Sequence, residues 1–393
     1  MRVVGLMSGT SADGVDAVLA SFNGSPHRPR WSLLRHATVP YPTCLQERIL
    51  AVGQGLSHSA AALLELAETI TDYQAAAARA CDPDATADLV GCHGQTVWHR
   101  PPEHTGHDLI RRGASWQMLQ APLLAELLRR PVVHDFRAAD LALGGQGAPL
   151  VPMADAALLG AGPFWRALLN LGGIANLTLI PPRVGPDRHA AVLGWDCGPA
   201  NTLIDLAVEH FSGGEERVDR NGARAAAGRV DETALQRWLD EPYLLQPPPK
   251  STGRELFGRS DLKRRLQMLG NQSPNDCIAT LTAYTAAVVA QDLDHVVRRG
   301  HPRPVELVVA GGGCHNPVLM RQLEHRCRGL RVRRSDAFSL PAVSREALVF
   351  ALLAWWNQCG HPGNAPAVTG ASRPSVLGVT VNPPGIQRCQ PGR

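Results

Sequence analysis

Twice in this 393-residue chain, two short apolar runs are separated by a small polar or glycine turn, and this motif limits the possible folds more than any other feature. Near the start, residues 3–7 and 15–22 read as β-strands joined by residues 8–14, a segment of Ser, Gly, Thr, Ala and Asp. Near the middle, residues 167–171 and 174–180 flank Gly172-Gly173 in the same way. Each unit is followed by apolar runs interleaved with segments of helical period, which is the pattern of an α/β protein. Residues 88–92, 131–134, 192–195 and 306–310 are predicted strands, the first ending at His93 and the third running into Asp196. Residues 60–79, 117–129, 201–211, 231–239, 275–298 and 345–358 are predicted helices. Asn316-Pro317 marks another helix start, a capping residue before a proline at the first helical position. Two similar halves are therefore expected, although no sequence repeat of fixed period accompanies them. The expected division is 1–141, completed by part of 345–393, and 142–344. The proline-rich stretch 246–253 is expected to be a surface loop or lid.

Composition removes several function classes. Apolar residues make up 44% and charged residues 19%, enough for a sizeable core, and the net charge is only +4. The densest basic runs, Lys263-Arg264-Arg265 and residues 331–334, are short and have no interleaved aromatics, so a nucleic-acid partner is not expected. Lys250 and Lys263 are the only lysines, which leaves few for phosphate contacts. Nine scattered cysteines without a C-x-x-C pair point away from a zinc site or a disulfide framework and toward reduced thiols in the cytoplasm. The apolar start, residues 3–7, is too short for a signal peptide, and with no 18-residue apolar run a membrane span is not expected.

The glycine turns read as phosphate cradles. Gly9-Thr10-Ser11-Ala12-Asp13-Gly14 lies between two strands, where small residues let backbone N–H groups approach a polyphosphate and the Thr10 and Ser11 hydroxyls add hydrogen bonds. Asp13 or Asp16 is placed to reach a magnesium ion, which takes one or two carboxylates besides phosphate and water. An ordinary hairpin turn uses the same residue types. Gly311-Gly312-Gly313 follows a strand and precedes a capped helix; a close backbone approach to a ligand, or a flexible loop, would account for three glycines in a row. Neither the P-loop pattern nor the Rossmann G-x-G-x-x-G occurs, and the D-F-G of protein kinases is missing too.

Three segments carry acid–base and binding candidates. Asp196 follows an apolar strand and precedes Gly198-Pro199, reading either as a cleft carboxylate that takes a proton from an attacking water or hydroxyl, or as a turn or capping aspartate. Arg137 is suited to fork onto a substrate carboxylate or phosphate, with an internal pair to Asp135 or Asp140 as the competing role. Gln95 and Thr96 read as hydrogen-bonding sugar contacts, and His93 is left open among fifteen histidines. Cys197 reads as a packed thiol. Glu346 opens the last helix, where an acid is favoured on structural grounds alone.

Read in order, these segments resemble the anhydro-N-acetylmuramic acid kinases of bacteria. The resemblance runs through Gly5 to Ser11 with Asp13-Gly14, His93-Gly94-Gln95-Thr96, Asp135-Phe136-Arg137, Gly144-Gly145-Gln146-Gly147-Ala148-Pro149 and Asn170-Leu171-Gly172-Gly173. It continues through Asp196-Cys197-Gly198-Pro199, Asp219-Arg220-Asn221-Gly222, Lys250-Ser251-Thr252-Gly253-Arg254-Glu255, Gly311-Gly312-Gly313 and Thr369-Gly370-Ala371. The resemblance implies a two-domain actin/hexokinase-like α/β fold with ribonuclease H-like halves and ATP in the interdomain cleft. It implies a cytoplasmic kinase that opens the anhydro ring of 1,6-anhydro-N-acetylmuramic acid with water and phosphorylates O6, in cell-wall recycling, with ATP and Mg2+. Asp196 would be the base. Gly9, Thr10, Ser11, Ala12, Asp13, Gly14, Val15 and Asp16 would bind ATP together with Gly172, Gly173, Gly311, Gly312 and Gly313. Gln95, Thr96, Arg137 and Glu346 would bind the sugar, and a homodimer is expected. Against the family pattern, Ala12 replaces a common leucine, Cys92 a common serine, and Leu119-Gln120 a glycine and a small polar residue; Asn170 stands where the wider superfamily often has aspartate. A kinase of the same fold acting on another sugar and a nucleotide-switched binding protein are the competing readings.

Overall fold

The computed structural model describes residues 1–105, 109–160, 162–248, 250–253, 255–341 and 344–385. Arg254 of the Lys250–Glu255 motif and the end of the chain beyond residue 385 lie outside the described residues. The chain divides into two units, one formed by Met1–Leu158 with Ser344–Arg393 and the other by Leu159–Val343.

In the first unit, β1 (Arg2–Ser8), β2 (Gly14–Ser25) and β3 (Arg28–Pro40) form an antiparallel meander. Helices α1 (Thr43–Gly53) and α2 (Ala60–Cys81) lead to β4 (Leu89–Arg100), whose first half pairs parallel with β1. Strands β5 (Glu103–Thr105) and β6 (Leu109–Arg111) pair with each other, and β7 (Ala114–Met118) returns antiparallel along the second half of β4. Helix α3 (Ala121–Leu128) then delivers β8 (Val132–His134), parallel to β4, and α4 (Ala138–Ala142) and α5 (Val151–Leu159) follow.

The second unit repeats the plan. Strands β9 (Arg166–Leu171), β10 (Ile174–Ile180) and β11 (Leu193–Pro199) are antiparallel. Helices α6 (Asn201–Phe211), α7 (Ala223–Ala227), α8 (Glu232–Leu239), α9 (Arg259–Leu269) and the long α10 (Pro274–Arg298) precede β12 (Glu306–Ala310), which runs parallel to β9. Helix α11 (Pro317–Arg326) crosses to β13 (Arg331–Arg334), parallel again. The chain then returns to the first unit with α12 (Arg345–Gln358), α13 (Pro366–Thr369) and β14 (Val379–Val381), the last closing the sheet edge beside β8.

The two sheets read β14-β8-β4-β1-β2-β3 and β11-β10-β9-β12-β13. Each has three antiparallel strands in sequence followed by two parallel ones, and each parallel step needs a helical crossover long enough to return the chain. That is the ribonuclease H-like order, present once in each unit, so the fold is of the expected α/β, actin/hexokinase-like class. Each unit has its own core: Leu6, Val15, Ile70, Val90 and Val132 in the first, and Leu169, Leu177, Leu203, Tyr284 and Val309 in the second.

Three expectations about elements need correction. The strand predicted to end at residue 92 continues to Arg100, because Gly94 takes φ +79° and the strand changes partner from β1 to β7. The helix predicted from 117 begins at Ala121, since Gln117 and Met118 are tied across the ladder to Thr96 and Gln95. Asp196 lies within an edge strand, not after one: β11 runs to Pro199, with an irregularity in its register against Ala175 and Asn176.

Candidate active site

The first glycine turn is held from below and from the sides. Ala12 N–H donates to Gly9 O at 3.1 Å, and Ala12 takes φ +53° with its methyl fully buried. Val15 is buried as well, so Ala12 and Val15 can offer a ligand only backbone. Beneath the turn, Gln74 Nε2 donates to Ser8 Oγ at 2.8 Å, and Ser8 Oγ lies 3.1 Å from Tyr41 OH. At its sides, Gln46 Nε2 donates to Ser11 O and Asp13 Oδ1, both at 3.0 Å, and Thr38 Oγ1 donates to Asp16 Oδ1 at 2.6 Å. Thr10 and Ser11 stay exposed, and their hydroxyls make no hydrogen bond among the described residues. The result is a braced loop that exposes the Thr10 and Ser11 hydroxyls and the Asp13 carboxylate.

Gln95, expected at the sugar, is fully buried and braces this loop instead. Its Nε2 donates to Gly9 O at 2.9 Å, and its Oε1 is buried without a partner. Thr96 Oγ1 accepts from Gln117 Nε2 at 3.2 Å.

Arg137 does not pair with Asp135 or Asp140. Its Nη1 donates to Gly147 O at 2.7 Å, while Nε and Nη2 lie 3.1 and 2.9 Å from His93 Nε2. His93 Nδ1 stands 2.9 Å from Gly94 O, so the ring donates there and accepts from the guanidinium as a neutral imidazole. Burial and the Arg137 charge push the His93 pKa well below the ordinary value, which removes it as a cation at neutral pH. Burial also lowers Arg137, to about 10, against the opposing charge of Glu346. Glu346 sits in the first turn of α12, half-buried, and makes no hydrogen bond or ion pair among the described residues. The neighbouring Arg345 is spent on a buried pair with Asp155 (Nε to Oδ1, 3.0 Å) that fixes the start of the helix.

In the second unit, Asp196 is held on one side only. Ser251 Oγ and Thr252 N–H donate to Oδ2 at 2.9 and 3.0 Å, and Oδ1 accepts no hydrogen bond among the described residues. Its backbone is fastened too, with N–H donating to Lys250 O at 3.0 Å and O accepting from Tyr243 OH at 2.8 Å. Burial raises the Asp196 pKa and outweighs the two donors, giving a carboxylate more basic than one in water. Cys197 is fully buried and its thiol is raised well above the ordinary range, so it remains a packed thiol.

The second glycine turn has a brace that the sequence did not signal. Asn201 Nδ2 donates to Leu171 O at 3.0 Å and Gly172 O at 2.8 Å, and its N–H also reaches Gly172 O. Against this turn packs the triple glycine. A Cβ on Gly311 would stand 2.8 Å from the Leu171 backbone, and one on Gly313 would stand 2.7 Å from Leu171 Cβ. Close packing thus explains Gly311 and Gly313, while Gly312 faces open space.

Among the described residues no three His, Cys, Asp or Glu side chains form a metal cluster. A magnesium ion that is bound largely by phosphate and water needs less than that. Among the described residues, Asp13 and Asp16 each commit one oxygen to a protein donor and leave the other without one, which fits such an ion. Among the described residues, no helix is long and apolar enough to cross a membrane.

Comparison with known proteins agrees with the geometry. A model of the family described as anhydro-N-acetylmuramic acid kinase matches residues 1–383. A protein of that name from Synechococcus sp. (strain CC9902) is 66% identical over 98% of this chain and 100% of its own length, and one from Synechococcus sp. (strain CC9311) is 67% identical with the same coverage. Among solved structures, the (R)-2-hydroxyglutaryl-CoA dehydratase component A of Acidaminococcus fermentans aligns with 91% of this chain and 99% of its own, at 13% identity and a TM-score of 0.41. An ROK family glucokinase from Streptomyces griseus aligns with 90% and 98%, at 14% identity and a TM-score of 0.36. The assignment rests on the sequence relatives, and by them the chain belongs to the anhydro-N-acetylmuramic acid kinase family.

Proposed function

We propose that the chain converts 1,6-anhydro-N-acetylmuramic acid, ATP and water into N-acetylmuramic acid 6-phosphate and ADP, with Asp196 as the base. The observation that carries this is the asymmetry of the carboxylate: among the described residues, Oδ2 is held by two donors while Oδ1 is without one. A base oriented in this way takes a proton from water as the water oxygen bonds to the anomeric carbon. The bond from that carbon to O6 breaks with its electron pair going to O6. O6 then bonds to the γ-phosphorus as the bond to the ADP oxygen breaks, and the proton on Asp196 passes to solvent.

Phosphoryl transfer needs positioning and charge stabilisation more than covalent help. The exposed Thr10 and Ser11 hydroxyls in the Gly9 to Asp16 turn suit the ATP phosphates, as do the turns at Gly172-Gly173 and Gly311-Gly312-Gly313. Asp13 and Asp16 would hold magnesium, which supplies neutralisation of the phosphate charge. Arg137 has five N–H donors and three are engaged among the described residues, so two remain for the lactyl carboxylate of the sugar, beside Thr96 and Glu346. A cytoplasmic location and a homodimer belong to the same reading.

The test is coupled ADP release with 1,6-anhydro-N-acetylmuramic acid, comparing the wild type with Asp196→Asn. Loss of turnover by about 10²–10⁴-fold with ATP affinity retained is expected. Unchanged turnover in the variant would remove Asp196 from the mechanism.

A further inference from the structure

Lys250 is one of two lysines in the chain, and unlike the exposed Lys263 it is buried, at 8% exposure. Its Nζ lies 2.8 Å from Asp292 Oδ1 on α10 and 5.0 Å from the centre of the Tyr243 ring. The other Asp292 oxygen accepts from Trp195 Nε1 at 3.0 Å, so the acceptor is itself fixed by the residue preceding Asp196. Burying such a pair costs several kcal/mol per ion, and well-packed apolar residues often serve stability as well or better. Stability alone therefore does not call for a lysine here.

What the pair does is hold a backbone. The carbonyl of Lys250 accepts from Asp196 N–H on the free edge of β11, and the next two residues supply both donors to Asp196 Oδ2. Tyr243 adds the last link, its ring beside Nζ and its hydroxyl on Asp196 O. A single side chain anchored in the core thus governs three hydrogen bonds on the aspartate that follows Trp195.

We propose that Lys250 is a positioning residue whose buried pair with Asp292 clamps residues 250–252 along β11, so that Ser251 and Thr252 occupy Asp196 Oδ2 and leave Oδ1 to take the proton. The inference rests on the reading of Asp196 as the base. Without the clamp the two donors leave, the carboxylate turns freely, and its basicity rises because the hydrogen bonds that favoured the charged form are lost while the site stays buried. Among the described residues, the other ionisable groups facing Asp196 are Glu255, Tyr243, Cys197 and, beyond it, Asp292.

The experiment uses the double substitution Lys250→Met with Asp292→Asn, which leaves no stranded buried charge and keeps an acceptor for Trp195. Three quantities are read: ATP affinity, kcat with the anhydro sugar, and the pH at which the acidic limb of kcat falls. ATP affinity should be unchanged, kcat should drop about 10- to 100-fold through misplacement of the base, and the limb should move up by about one pH unit. Ser251→Ala, which removes one donor without touching the core, should move the limb the same way by a smaller step. A double variant with the wild-type kcat and limb would overturn the clamp. If the double variant does not fold, Asp292→Asn alone is read for the fall in kcat at unchanged ATP affinity, and a wild-type kcat overturns the proposal. Asp196→Asn run alongside separates the two ideas: if it is inactive while the clamp variants behave as wild type, only the clamp fails, and if it is active, the base assignment itself fails.

Discussion

Gly5 and Gly91 face each other in the parallel register of β1 and β4, and α12 lies directly on both. A Cβ on Gly5 would collide with Ala347 O, and one on Gly91 with Phe350 O and, at 2.7 Å, with Ala354 Cβ. These two glycines let the helix approach the sheet, and that helix presents Glu346 in its first turn. Gly91→Ala is expected to destabilise the protein by about 2–3 kcal/mol, because the added methyl meets backbone that cannot move aside. Urea unfolding measures the loss. In the folded fraction the sugar KM should rise, as Glu346 moves with its helix.

Asp196 gives a pH dependence of definite sign. Its pKa is raised in the folded protein, so if Asp196 is the base, activity is expected to fall as pH drops through a value above the ordinary carboxylate range. The acidic limb of kcat/KM for the anhydro sugar should reflect that value. Stability has the opposite sense. A raised carboxyl binds more protons folded than unfolded, so stability declines as pH rises from the unfolded value of 3.8 through the folded one. Asp196→Asn should therefore be inactive yet melt no lower than wild type at neutral pH, and about 2 °C higher if the neutral amide keeps the Ser251 and Thr252 contacts. A melting curve of the variant decides this.

His93 is a second titrating group with a stated direction. It is buried neutral between Gly94 O and Arg137, and its folded pKa lies well below 6.5. Below pH 6.5 the unfolded chain takes up a proton that the folded one refuses, so stability falls as pH drops through that window. His93→Gln offers Arg137 an amide oxygen that does not titrate. It should flatten the acid-side slope of stability against pH by up to one proton, with the slopes from His99, His134, His295 and His361 remaining. Denaturant midpoints between pH 5 and 7, an interval of about two pH units around the unfolded value, measure the difference.

The α/β class was legible because apolar runs and glycine turns mark strand ends locally. The strands that escaped notice have reasons to be quiet. Most of β3 lies exposed, with Arg, His and Ser between its apolar positions, and so has no continuous apolar run. The second half of β4 is polar because its side chains meet hydrogen-bond partners brought in by the fold, the Gly9 carbonyl for Gln95 and the Gln117 amide for Thr96. The same physics hid the braces of the candidate site. Gln46, Gln74 and Asn201 lie 29 to 66 positions from the groups they hold, and the Lys250–Asp292 pair spans 42 positions. Glycines and aspartates in a strand-flanked turn announce themselves in sequence; the glutamine or lysine that fixes them does so only after the chain has folded back.

The triple glycine separates folding from binding in one short stretch. Gly313 is buried against Leu171, and an added methyl there would stand 2.7 Å from Leu171 Cβ and 3.1 Å from Asn201. Gly313→Ala should therefore push the second glycine turn out of place and cost about 1–3 kcal/mol of stability. Gly312 meets no protein atom within 4 Å, and its methyl would cost the folded protein nothing by packing. If the backbone at 312 approaches a nucleotide, Gly312→Ala will fold with the wild-type denaturant midpoint and bind ATP about tenfold more weakly, a difference of about 1.4 kcal/mol. Asn201→Ala supplies the third arm: it removes the donor to Leu171 O and Gly172 O while leaving both glycine sites open. It should weaken ATP through a looser turn, again with little change in the unfolding midpoint beyond about 1 kcal/mol for the lost bonds. Titration of the three variants with ATP, each paired with its unfolding curve, reads both effects. Unaltered ATP affinity in Gly312→Ala would mean that this glycine serves the turn alone, and the nucleotide contacts would then have to be sought at Gly172 and Gly173.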